Sequence, residues 1–346
     1  MVDQSIKSGK INIRNIKAFG LQYAIYLVFV GLVLIITIRE PSFLSINNFR
    51  NILAMSSTRI IFAMGMGAIL ITGGVDLSAG RSVGLAAVLS ASLLQKMDYS
   101  RRMYPDMPLL PLIVPIIIAM TVCGLFGILS GFFITKLKVP AFIATLGTQV
   151  AVYGTCSIYF DRPPYGAQPI GGLDSRFLEL GTGYVGFNGL YSIPYIVIIA
   201  AIVTFFTWIL FNKTTYGKNI YAIGGNAEAA RVSGVNVTRT LILVYTIAGI
   251  LYGLGGSLEA ARTGGATNNY GNGYELDAIA ACVVGGVSNL GGIGTVPGIV
   301  IGVLILSVIN YGLTFINMSP YWQQIVKGAI IIAAVALDIR KYLTKR

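Results

Sequence analysis

The sequence predicts an all-α polytopic membrane protein of about ten transmembrane helices in two weakly related halves, with N- and C-termini cytoplasmic. Three observations carry this. Of 346 residues, 55% are hydrophobic and only 11% charged, where soluble domains carry about 25% charged residues. Uncharged runs of bilayer length recur at 18–38, 109–135, 139–160, 180–212, 240–258 and 278–326, and a spanning helix needs about 20 such residues. Lys and Arg stand between these runs as punctuation, which is how a membrane chain is oriented. Hydrocarbon offers a backbone amide no partner, so these runs must satisfy their own backbone and form helices.

The elements follow in order. The 18–38 run is too long for a signal-peptide core, and Arg39-Glu40-Pro41 follows it rather than a small-residue cleavage site, so it is read as a retained helix. Two weaker runs flank Asp76 and Arg81 and give helices at 60–74 and 80–95. The next two helices, 110–135 and 140–160, are divided by Lys136 to Pro140. Helices 192–211 and 240–260 flank a polar stretch. The last uncharged run breaks at Ser288-Asn289-Leu290-Gly291-Gly292 and near Asn317-Met318-Ser319-Pro320, both turn-forming clusters. It gives helices 276–288, 296–316 and 321–338. The second, third and eighth helices are short enough for broken or re-entrant segments, so the count ranges from eight to eleven.

Ten spans place four basic groups on one side: Lys7, Lys10, Arg14 and Lys17; Lys136 and Lys138; Lys213, Lys218, Arg231 and Arg239; and Arg340, Lys341, Lys345 and Arg346. That side is the cytoplasm. The opposite loops are 39–59, 95–108 and 161–190. The last holds Asp161, Asp174 and Glu179 against two arginines, while the other two keep three basic residues each.

The same composition excludes much chemistry. There is no histidine, so a Ser-His-Asp triad, a His-ligated metal and a His switch are absent. Cys123, Cys156 and Cys282 are odd in number and widely spaced, against a disulfide framework or zinc site, and read as packing residues. The net charge of +12 is spread along loops, which speaks for orientation and not for nucleic acid. No G-x-x-x-x-G-K-[ST] occurs, so ATP is not held through a P-loop. Gly291-Gly292-Ile293-Gly294 and Gly253-Leu254-Gly255-Gly256 read as turn and helix-contact glycines. The pairs Gly80/Gly84, Gly127/Gly131, Gly249/Gly253 and Gly298/Gly302 have the spacing of close helix contacts.

Charges within or near the apolar runs are costly and therefore informative. Asp76 lies at a break between two short helices, either capping the third helix or lining a substrate path. Arg81 is near enough to be its ion partner. Glu275 and Asp277 precede the eighth helix in the same manner. Val75-Asp76-Leu77-Ser78-Ala79-Gly80 loosely echoes Leu276-Asp277-Ala278-Ile279-Ala280-Ala281, which suggests related halves at about 20–160 and 190–340. Lys327 reads as a snorkelling side chain. Asp76, Asn310 and Asp277 are the pathway candidates. An ion-coupled carrier would instead use Asp76, Glu259 or Asp277 as its ion site.

Residues 212–239 are the most distinctive stretch. Asn226 can cap a short helix of Ala227 to Val232, and Gly234 can end it. A plain interhelical connection needs only about 2–8 residues, so a projecting, capped helix suggests a docking element.

These residues carry a resemblance. Gly217-Lys218-Asn219-Ile220-Tyr221-Ala222-Ile223-Gly224-Gly225-Asn226 with Ser233-Gly234-Val235-Asn236-Val237 resembles the coupling-loop signature of the simple-sugar (ribose/galactose/xylose) ABC-importer permeases. Thr72-Gly73-Gly74-Val75-Asp76-Leu77-Ser78-Ala79-Gly80, Val139 to Thr148, Glu275 to Val287 and Ile325 to Ile332 are similar to further signatures of that family. Arg81 replaces the uncharged start common in the family and, with Asn268-Asn269 and Asn310 to Thr314, is similar to its galactose/methyl-galactoside branch. The resemblance implies a single transmembrane permease domain over 1–346, with a cytoplasmic coupling loop at 212–239. It implies a multi-pass protein of the bacterial inner membrane that is a transport subunit and not an enzyme, without catalytic residues, metal or cofactor of its own. Its implied partners are an ATP-binding cassette ATPase, a periplasmic or lipid-anchored sugar-binding protein, a second permease copy and membrane lipid. The binding protein would dock on loops 39–59, 95–108, 161–190 and 262–274. Gly224, Gly225, Asn226, Ala229, Ala230, Arg231 and Gly234 would couple to the ATPase. Ribose, xylose and nucleosides are the alternative substrates, and a channel-like scaffold without transport is a further alternative.

Overall fold

The structure, a computed structural model, describes residues 24–164, 166–186 and 192–343. The basic residues at 7–17, 345 and 346 lie outside it. Among the described residues the chain forms α1 (Ala24–Arg39), α2 (Ile46–Ile71), α3 (Ala79–Leu93), α4 (Ile113–Lys136), α5 (Ala141–Phe160), α6 (Ser175–Thr182), α7 (Tyr195–Lys213), α8 (Thr215–Gly225), α9 (Ala227–Val232), α10 (Val237–Thr263), α11 (Tyr274–Val284), α12 (Val296–Phe315) and α13 (Pro320–Leu343). A short hairpin pairs β1 (Tyr184–Val185) with β2 (Ile193–Pro194). Each of the ten predicted segments overlaps a helix. Six of them, α2, α4, α5, α7, α10 and α12, are long and apolar enough to cross a membrane.

Three expectations need correction. The second helix is not short: α2 has 26 residues, so the predicted 39–59 loop shrinks to a 3-10 turn at Pro41–Leu44 and the capping Ser45. Arg50 and Arg59 ended the uncharged run without ending the helix, and the Arg59 guanidinium finds a carboxylate on α11. The 161–190 loop contains α6, whose N-cap Asp174 accepts from the Arg176 amide at 2.8 Å. The Arg176 side chain at 3.0 Å holds the Asp174 carboxyl below its ordinary range. The 212–239 loop is almost wholly helical, because α8 precedes the expected helix directly.

The bundle is organised on α10. Lipid gives no hydrophobic drive for helices to associate, so they gain stability where small residues let backbones approach. Gly127 and Gly131 on α4 lie against the backbone of Tyr245 and Ile242 on α10, and Gly249 and Gly253 on α10 lie against Cys123 and Met120 on α4. Chain order is reversed across this contact, so the two helices run antiparallel. On its other sides α10 meets α2, where Gly65 faces Ala248, and α3, where Gly256 faces Val83 and Ala86. Gly298 and Gly302 bring α12 onto Gly285 and Ala281 in the same way, while Gly80 and Gly84 of α3 pack on the loop at Tyr270 and Gly271.

The sequence echo has a counterpart in the architecture. A long helix, a broken turn, a short helix and two longer helices occur twice, as α2–α3–α4–α5 and as α10–α11–α12–α13. Packing exchanges the halves: α3 and α4 lie on α10, and α11 and α12 lie on α2. The three cysteines are buried and unpaired by disulfides. Two of them donate to carbonyls of neighbouring helices, Cys123 to Ser82 and Cys282 to Ala63.

Gly249→Ala places a methyl group against the Cys123 carbonyl of α4 and is expected to destabilise the fold by about 1–3 kcal/mol. At Gly147, inside α5, a methyl group meets nothing within 4 Å, so Gly147→Ala should cost nothing and stabilise by up to about 1 kcal/mol. Thermal unfolding in detergent, followed by loss of the monodisperse species, checks both.

Candidate functional site

The element that the sequence singles out at 226–234 forms as expected. Asn226 is extended and is at once the C-cap of α8 and the N-cap of α9. Its Oδ1 accepts from the Glu228 and Ala229 amides, each at 3.0 Å. At the other end the Gly234 amide donates to Arg231 O and the Val235 amide to Ala230 O. This is the paired closure of a Schellman turn, and it needs a left-handed residue. Gly234 supplies it with φ of +88°. Val235 and Ala230 then pack with Ile223 and Val237, which fixes α9 on the body of the bundle. Arg231 and Glu228 pair at 3.5 Å on the outward face, and Val232 is 88% exposed.

Gly224 and Gly225 do something different. Gly224 lies directly on Ile71 O and on the Gly292 amide, and Gly291 lies on Gly224 O and Gly73. The Gly292 amide donates to Ile71 O at 2.8 Å, and the Tyr221 hydroxyl donates to Gly294 O at 2.9 Å. Three backbone segments therefore meet: the turn after α2, the end of α8, and the turn between α11 and α12. Gly291-Gly292-Ile293-Gly294 is thus a turn in a backbone junction. A side chain at Gly224 would force all three apart.

The buried charges resolve into separate sets. Asp76 is buried and accepts from the Ser78 amide at 2.9 Å and the Ser78 hydroxyl at 2.6 Å, so it closes a turn onto Ser78; the expected cap is not formed, because Ser78 is itself the N-cap of α3 and no side chain caps that helix. Arg81 is not its partner. The Arg81 guanidinium donates to Asn269 Oδ1 at 3.1 Å and Asn272 Oδ1 at 3.0 Å, and lies 4.4 Å over the Tyr153 ring. Sequence proximity misled because α3 starts between the two residues, and Arg81, inside its first turn, reaches away from the cap.

Glu259 is paired in two contacts by Arg262, at 2.8 and 2.9 Å, and also accepts from Thr58 at 2.7 Å and Tyr274 at 3.3 Å. Asp277 is held by Lys327 at 3.0 Å and Arg59 at 3.4 Å. Lys327 therefore does not snorkel away; an ion pair outcompetes the interface. Arg59, Arg262 and Tyr274 were missed as site residues because their partners are set by packing and not by local spacing. Asn310 lies half-buried on α12, where Thr314 Oγ1 donates to its carbonyl at 2.9 Å. The seven coupling candidates run from the end of α8 through α9 to its closing turn, while Asp76 and Asp277 lie in distinct hydrogen-bonded sets.

Comparison with known proteins adds to this geometry. The family model described as "branched-chain amino acid transport system / permease component" matches residues 48–335. A galactose/methyl galactoside import permease of Escherichia coli (strain K12) is 51% identical over 336 residues, 97% of this chain and 99% of the relative. Its namesake in Haemophilus influenzae is 52% identical, covering 95% of this chain and 98% of that one. A ribose import permease of Bacillus subtilis (strain 168) is 39% identical over 90% of both chains. No solved structure matches. With the family model spanning the bundle from α2 into α13, the chain belongs to this family of transport-system permease components.

Proposed function

We propose that the chain is the membrane-spanning permease subunit of an ATP-driven importer, moving galactose and methyl galactosides from a binding protein to the cytoplasm. The observation that carries the role is α9, a doubly capped helix at one end of the bundle that follows directly on α8, whose Gly224 fits between turns of both halves. The substrate rests on identity: 51–52% to galactose/methyl galactoside import permeases against 35–39% to ribose import permeases. That gap favours the hexose over ribose, xylose or nucleosides.

In this reading the fold is one permease domain of ten spans in the bacterial inner membrane, with both termini and α9 cytoplasmic. The cassette ATPase seats on α9 by the exposed Val232 and the Glu228–Arg231 pair. Its motion reaches Gly224 and Gly225 through Asn226. From there it passes to the α2–α3 turn and to the α11–α12 turn, one in each half. The sugar-binding protein meets the opposite end, where the segment at 170–174 is tied to 94–96 and to Ala266 by backbone hydrogen bonds. A second copy of the chain completes the pore. The chain supplies no catalytic group, cofactor or metal, and ATP hydrolysis belongs to the partner.

An ion-coupled carrier would use Asp76, Glu259 or Asp277. Each of these carboxylates already has its partners, from Ser78, from Arg262 and Thr58, and from Lys327 and Arg59. In proteoliposomes holding permease, ATPase and binding protein, ATP should drive uptake of labelled galactose, and permease alone under a proton or sodium gradient should move none. Gradient-driven uptake by the permease alone would negate the proposal.

Gly234→Val puts a β-branched residue at φ of +88°, where only glycine is unstrained. ATPase stimulation by loaded binding protein should fall at least about fivefold, for a strain cost of about 1–3 kcal/mol. Asn226→Ala removes the acceptor for two amides and should weaken α9 by about 1 kcal/mol. Uptake should fall with stimulation in both variants, and ATP hydrolysis assayed with each variant complex against the parent checks this.

A further inference from the structure

We propose that Arg81, Asn269, Asn272 and Tyr153 form a contact site for a neutral, hydroxyl-rich ligand, a monosaccharide, within the membrane thickness. The inference rests on the sugar-importer reading and places a sugar contact on named side chains.

Depth is the first argument. Arg81 lies twelve residues before the end of α3 at Leu93, and Tyr153 seven before the end of α5 at Phe160. At a rise of about 1.5 Å per residue these are about 18 and 10 Å below the helix ends. A cation held there against lipid is costly, so such residues face protein or water. Arg81 is half-exposed and Asn269, Asn272 and Tyr153 are exposed, and among the described residues Arg81 makes no ion pair. A charged group and two amides standing open at this depth mark a wetted surface.

The second argument is the chemistry of the donors and acceptors. Arg81 spends one donor on each asparagine oxygen. That fixes the orientation of both amides, so their NH2 groups can meet a ligand, and it leaves further guanidinium donors. Hydroxyls both accept and donate, so a sugar can take the NH2 donors and share the Oδ1 acceptors. The Tyr153 ring adds an apolar edge of the kind that meets sugar C–H groups. Next to it Gly154 has nothing within 4 Å of where a side chain would stand, and one turn on Ser157 accepts from Asn268 at 3.2 Å. Ser157 thus carries a polar contact one turn on from Tyr153 on the same face of α5.

Glu275 supplies the third observation. It is 6% exposed, packs against Gly80 beside Arg81, and its Oε2 accepts no hydrogen bond among the described residues. A buried carboxylate oxygen left unpartnered is uncommon. It leaves the donors of Arg81 to the two asparagines and to a ligand. The site also sits at the far end of the segment that Gly224 contacts, since Gly73 to Ser78 lead straight into Gly80 and Arg81. Movement at α9 would reach the ligand through this one turn.

The complete importer in liposomes tests this, reading labelled galactose uptake together with ATPase stimulation by loaded binding protein. Asn269→Ala combined with Asn272→Ala removes two exposed amides and should lower uptake about tenfold or more, with stimulation kept within about twofold of the parent. Tyr153→Phe should keep uptake and Tyr153→Leu should lose it in the same pattern. Asn272→Ser, the mildest change, should lower uptake about threefold with full stimulation, and reads the site even if the double variant does not assemble. Uptake at the parent level in Asn272→Ser and Tyr153→Leu overturns the site. So does equal loss of uptake and stimulation, which marks a structural role. A parent importer that ignored galactose but moved ribose would instead overturn the galactose reading, and the same variants would then decide the site on ribose uptake.

Discussion

Backbone approach between α4 and α10 is the constraint on which the rest of the structure depends. Glycines at four-residue spacing on both helices lie against the partner's backbone, so no side chain separates them. In water such a contact would be a minor addition to a hydrophobic core. In lipid, where leaving a helix apart costs no apolar exposure, van der Waals contact between backbones is a principal source of helix association. It follows that α10 can serve α2, α3 and α4 at once, because it presents glycine or alanine to each. A bulky residue at any of these positions would displace a helix, and with it the turns attached to that helix.

The same constraint shapes the turns. A broken helix inside a membrane is tolerated only when its freed backbone groups find partners in the protein. At the α8 end this is met by making three turns satisfy one another: Ile71 O accepts from Gly292, and Gly224 fits between them. Such a joint has no slack, so a displacement of α8 cannot be absorbed locally. The result is a continuous backbone contact from the end of α8 to turns in both halves of the bundle, silent in any inventory of charged or catalytic side chains.

What could be read from the sequence follows from the range of the forces involved. Helix positions were legible because lipid imposes a one-dimensional rule, uncharged runs of fixed length. The cap at Asn226 and the turn at Gly234 were legible because capping is settled within a few residues. The start of α2 was not, because Arg50 and Arg59 broke the uncharged run while the fold brought Asp277 to Arg59 from 218 positions away. The same distance problem hid the partner of Lys327, fifty positions from Asp277. Arg81 shows the opposite failure: Asp76 is its neighbour along the chain and not in space. The related halves showed as one faint echo of six residues, yet the order of helices and their mutual packing repeat.

The paired carboxylates tie α11 to the helices around it. Removing one partner from a buried ion pair leaves an uncompensated charge, at about 3–5 kcal/mol. Asp277 is bound from α13 by Lys327 and from α2 by Arg59, and Tyr274 one turn earlier reaches Glu259 on α10. Three helices are therefore tied to a short helix of only 11 residues, which by itself has too few backbone hydrogen bonds to hold a position. Directional ties of this sort tolerate rigid-body tilting of α11 but resist its sliding out of register. The glycine joint lies beyond one end of α11 and the ion pairs near the other, so both ends of the helix are held by the bundle.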